Sequence, residues 1–133
     1  MDSAMNAYDP LKPPHSEEWL SLDEQERLDL VENFHRRARI RLPNAKMHAV
    51  FHVIVENQFA LGDELPVKRT LQRLMSEGLD RHDAIHAVGS VLIGYLSDLV
   101  AAPEAKIGAD PNPRYYAELE RLAAKDWLAS GDS

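Results

Sequence analysis

The run from Met47 to Leu61 is the most apolar stretch of the chain, and on a helix it is apolar nearly all round. A helix of that kind is buried on most of its sides, so other elements must wrap around it. His48, His52, Glu56, Asn57 and Gln58 interrupt the run. It is also too short to span a bilayer, which takes about 20 apolar residues. His48, His52 and Glu56 are spaced four apart, and His82 and His86 repeat that spacing further along. Side chains four apart on a helix lie one above the other, with Cβ atoms about 5–6 Å apart, within reach of one shared ion.

The periodicity predicts an all-α fold: an antiparallel four-helix-bundle-like domain with an added C-terminal helix and an extended N-terminal arm. Residues 1–15 form the arm, because Pro10, Pro13 and Pro14 oppose helix. Residues 16–101 form the bundle, 102–112 a linker, and 113–133 the final helix and tail of the same domain. Ser21-Leu22-Asp23-Glu24 has a capping-box pattern, and helix 1 is expected from about Leu22 to Ile40. An earlier turn from Ser16 is compatible with Glu17-Glu18-Trp19-Leu20. Pro43 stops helix 1, and Asn44 caps a second helix that ends at Gly62. Helix 3 runs from near Pro66 to Gly78 with Val67, Leu71, Leu74 and Met75 inward. Asp80 caps helix 4, whose stripe is His82, Ile85, His86, Gly89, Leu92, Ile93 and Leu96. The last helix, Pro113 to Leu128, turns Tyr116, Leu119, Ala123 and Trp127 inward.

In an up-down-up-down arrangement helices 2 and 4 run the same way, and their histidine pairs fall within about one turn of each other in height. His35, on helix 1, is expected at the same level. The metal ligands expected are therefore His48, His52, His82 and His86, with His35 a fifth candidate. Glu56 is eight residues from His48, hence ~12 Å along the axis, too far for one ion to touch both. It is expected to ligate beside His52 or to hold an imidazole by hydrogen bond. The chain has no cysteine, so the ligands are imidazole nitrogen and carboxylate oxygen. Zinc and iron are the leading transition metals, with manganese, nickel and copper open. Two alternatives stand beside this: a metal-free interaction or scaffold protein with a buried histidine network, and a metal-dependent hydrolase or non-haem iron enzyme. His82-Asp83 matches a dipeptide of metal-dependent phosphohydrolases, but helical spacing turns Asp83 away from the His82/His86 face.

A net charge of −7 argues against a nucleic-acid partner, whose binding rests on Lys and Arg neutralising phosphates. The basic cluster from His35 to Arg41 falls where a helix should end and suits the negative end of its dipole. With neither a membrane span nor a signal-peptide pattern, the expected location is cytoplasmic. A protein partner or homo-oligomer is left open.

The block from Asn44 to Leu96 resembles a family of small bacterial proteins catalogued only as a domain of unknown function. The matching residues are His48, His52, Glu56-Asn57-Gln58, Pro66-Val67 and Gly78-Leu79-Asp80-Arg81-His82-Asp83-Ala84-Ile85-His86-Ala87-Val88-Gly89. The resemblance implies bacterial origin and a helical domain, and it transfers no activity.

Overall fold

The computed structural model describes residues 7–39, 45–62, 65–101 and 112–130. Among them the fold is all-α: α1 (Ser16–Ser21), α2 (Glu24–Arg37), α3 (Ala45–Ala60), α4 (Val67–Ser76), α5 (Arg81–Ala101), α6 (Asn112–Arg121) and α7 (Ala124–Ser130). The expected stop at Pro43, the cap at Asn44 and nearly all of the 102–112 linker lie outside the described residues. The chain divides into two compact units, Met1–Lys68 and Arg69–Ser133.

In the first unit the turn from Ser16 is a helix of its own, and the capping box sits two residues later than expected. Asp23 accepts from the Glu26 amide at 2.8 Å, while Glu26 accepts from the Asp23 amide at 2.9 Å. Both orphan amides are thereby satisfied at once. Ser21 is engaged elsewhere, donating its hydroxyl to the Glu18 carbonyl at the end of α1. At the other end α2 stops at Arg37, short of Ile40, because Arg39 turns into the left-handed region at φ 61°. His35, Arg36 and Arg37 occupy the last turn, where positive charge meets the helix dipole.

The core of this unit joins Tyr8, Trp19, Leu22, Val31, Ala49 and Val53. Its polar lock is Asn57 on α3, whose Oδ1 accepts from the Trp19 indole at 2.8 Å and from Arg27 at 3.0 Å. The other arm of Arg27 donates to the carbonyls of Leu20 and Leu22. One guanidinium thus satisfies the open end of α1 and ties α2 to α3.

Helix α4, which spans the division between the units in sequence, buries Val67, Leu71 and Leu74 completely, as the periodicity predicts. Met75 departs from that expectation and is 41% exposed, while Thr70 takes a buried place. The α4 end is a Schellman motif: Leu79 N–H bonds the Leu74 carbonyl and Gly78 N–H bonds the Met75 carbonyl. Gly78 has φ +116°, which side chains rarely adopt. Asp80 then opens α5, its carboxylate accepting from the Asp83 amide at 2.8 Å. Ala84, Ile85, Ala87, Val88 and Leu92 are buried, whereas Ile93 is exposed; the Leu96 side chain lies outside the described residues.

The single C-terminal helix expected from Pro113 to Leu128 is two helices, broken at Leu122 and Ala123. An ion pair at the C-terminal end of α4 brackets the break. Arg73 donates to the Leu119 carbonyl at 3.1 Å, and Glu77 accepts from the Ala124 amide at 3.0 Å. The two side chains also meet each other at 2.8 Å. With the ladder interrupted, the inward residues are Tyr115, Leu119, Ala124 and Trp127, correcting Tyr116 and Ala123 by one position each.

Gly94 in α5 is not held by close packing, since a Cβ built there meets nothing within 4 Å. Gly94→Ala should raise unfolding stability by about 0.5–1 kcal/mol through the entropy of the unfolded chain. Gly78→Ala should lower it by ~1–2 kcal/mol through left-handed strain. Urea midpoints of the two variants would check both signs.

Candidate metal centre

Three imidazoles converge within the first unit. His48 and His52 stand one turn apart on α3, and α2 delivers His35 from its last turn. Ring centroids are 4.6 Å apart for His35–His48, 4.9 Å for His35–His52 and 4.8 Å for His48–His52. The three rings therefore form a nearly equilateral triangle. Phe34 meets His35 edge-on, and Phe51 packs on both His48 and His52. That aromatic wall lowers the local dielectric and favours neutral imidazoles.

His52 is fully buried, and His35 is 5% exposed. His35 Nδ1 lies 2.9 Å from the Val31 carbonyl. A carbonyl can only accept, so Nδ1 carries the hydrogen and Nε2 the lone pair. Burial pushes the His35 pKa below its ordinary value, partly offset by that same hydrogen bond.

Tyr8 fixes His52 in the same sense. Its hydroxyl donates to Glu56 Oε2 at 2.5 Å and lies 3.2 Å from His52 Nδ1. The one phenolic hydrogen goes to Glu56, so the tyrosine oxygen receives the Nδ1 hydrogen of His52. The lone pair of His52 is then on Nε2, the tautomer suited to ligation through that atom. Glu56, 1% exposed, acts on His52 at one remove, with Tyr8 between them.

On α5, His82 and His86 lie one turn apart with ring centroids 4.4 Å apart. His35, His48 and His52 each offer one ring nitrogen, and these nitrogens all lie within 4.8 Å of one another. The three histidines of the first unit are thus close enough to hold a metal ion. Neither Glu56 nor Asp83 belongs to that group. The Asp83 carboxyl is pushed up by burial and by the neighbouring charge of Asp80. His15 is exposed on the proline-rich segment. A cavity of about 320 Å³ lined by Glu32, His35, Arg36 and Ala45 reaches the His35 edge of the triangle.

Sequence reasoning missed Tyr8. Prolines suppress any helical period around it, so no pattern signals an inward-facing residue there. Its one clue is being the sole tyrosine of an otherwise polar and proline-rich segment. Asn57, the residue after Glu56, serves packing through Trp19 and Arg27.

No protein-family model, curated protein or solved structure matches this chain. Among the described residues no helix is long and apolar enough to cross a membrane.

The depressed His35 pKa makes stability pH-dependent with a definite sign. The unfolded chain takes up this proton near pH 6.5 and the folded one only at lower pH. The contribution is complete above the unfolded value and is lost as pH falls from there toward the folded value. With chelator present, the melting temperature should drop between pH 7.5 and 5.5, and His35→Gln should flatten that drop.

Proposed function

We propose that this chain binds one transition metal ion, zinc or iron first, through paired histidines in its helical core. His48, His52, His82 and His86 are the principal ligands, and His35 is the fifth. The observation that carries this reading is the closeness of three ring nitrogens in the first unit, those of His35, His48 and His52, all within 4.8 Å of one another. Two imidazoles on opposite sides of one ion, each at about 2.0–2.1 Å, stand at most ~4.2 Å apart. The donor set fits as well, being borderline nitrogen with no thiolate. Two of the rings, His35 and His52, already have their Nδ1 hydrogens committed to oxygen partners, the usual outer arrangement for a metal-bound histidine.

Four closed ligands make such an ion structural, and an open position makes it catalytic. The cavity beside His35 gives a small molecule a way to the ion, which is what a hydrolase or non-haem iron enzyme needs. The resemblance to a small bacterial helical family belongs to this proposal and adds no chemistry to it.

One observation favours a second reading. Tyr8 hydrogen-bonds both Glu56 and His52, as a metal-free scaffold with a buried histidine network requires. Dialysis against a chelator separates the two, since only a metal protein loses melting temperature. At free metal 100-fold above Kd, the ion should add about 2.7 kcal/mol of stability.

Elemental analysis of protein purified without a metal-affinity tag should give about one ion per chain. Less than a tenth of an equivalent, with no uptake of added zinc or iron, would rule the proposal out. His52→Ala and His86→Ala should destabilise the loaded protein comparably and the metal-free protein much less. His15→Ala should leave both forms unchanged.

A further inference from the structure

The segment before α1 enters the core at Tyr8, with Pro10 buried beside it in sequence. Residues 7–15 are non-helical, and their prolines keep them from joining a helical ladder. Tyr8 is nevertheless 1% exposed. Its ring packs on Trp19 at 5.8 Å, Phe34 at 6.2 Å and His52 at 6.0 Å. Its hydroxyl joins Glu56 to His52, both on the buried face of α3.

We propose that Tyr8 couples occupancy of the metal centre to seating of the N-terminal segment, so that the ion and the segment stabilise each other. The inference rests on the metal reading above and adds its regulation. A metal on His52 Nε2 withdraws charge from the ring and makes Nδ1–H a stronger donor to the Tyr8 oxygen. Tyr8 in turn donates to Glu56, and successive hydrogen bonds in such a chain reinforce one another. Reciprocity follows from thermodynamics: the factor by which the ion favours the seated segment is the factor by which seating favours the ion. Tyr8 is thus a positioning residue that selects the His52 tautomer. Losing the ion loosens the segment and opens the aromatic recess between Trp19 and Phe34.

The full chain tests this without truncation. The amides of Leu11 and Lys12 report seating, because both are bonded to Asp9 just after Tyr8. Zinc should slow hydrogen exchange at these two amides in the wild-type chain. Tyr8→Phe keeps the ring and removes the hydroxyl; it should weaken zinc binding ~10–100-fold and abolish the zinc effect on the two amides. Nitrogen-15 spectra should show His52 protonated on Nδ1 in the wild type and as a tautomer mixture in Tyr8→Phe, a change that a merely structural role would not produce. Zinc uptake with unchanged exchange at Leu11 and Lys12 would overturn the coupling alone, as would equal zinc affinity in Tyr8→Phe. That exchange measurement needs no variant to fold. Absence of zinc uptake by the wild type would overturn the metal reading and the coupling together.

Discussion

A carboxylate buried among apolar side chains must be answered by donors, and in this molecule that requirement organises everything near α3. Glu56 and His52 are both almost wholly removed from solvent, one turn apart on α3. Leaving such a group unpartnered costs several kcal/mol. The hydroxyl of Tyr8 meets part of that demand, and it can do so only if the chain before α1 turns inward. The route of the N-terminal segment, the hydrogen on His52 and the direction of its lone pair all follow from this one need.

The second consequence concerns crowding. Neutral imidazoles brought together at centroid distances near 5 Å repel if protonated, and they set lone pairs facing one another if not. His35 and His52 resolve half of that conflict by turning their hydrogens outward to Val31 and Tyr8. The inner nitrogens are left as acceptors, a concentration of electron pairs in an aromatic wall. A cation answers it more completely than water does, because it accepts several lone pairs at one point.

The all-α fold was legible because helical periods, prolines and glycines agree with one another. Gly62 and Gly78 both take positive φ at helix ends, the role their position suggests. The alignment of His48, His52 and Glu56 was legible too, since spacing of four survives any detail of packing. Boundaries set by side chains competing for the same amide were not. Asp23 and Ser21 are both good caps, and only the pairing with Glu26 decides between them. The break at Leu122 was hidden for a related reason: its cause, Arg73 with Glu77, is remote in sequence. Tyr8 was illegible because its burial is dictated by Glu56, a partner that no local pattern connects to it.

The Arg73–Glu77 pair carries a consequence for how the chain comes apart. The Glu77 carboxyl is held below its ordinary value, first by the Ala124 amide and then by Arg73. Its contribution is present above the unfolded carboxylate range and disappears as pH falls through the folded value. Protonation exchanges the charged acceptor that starts α7, the helix carrying Trp127, for a weaker neutral one. Acid therefore weakens the start of α7 while leaving the turn at Gly78, made of backbone bonds alone, untouched.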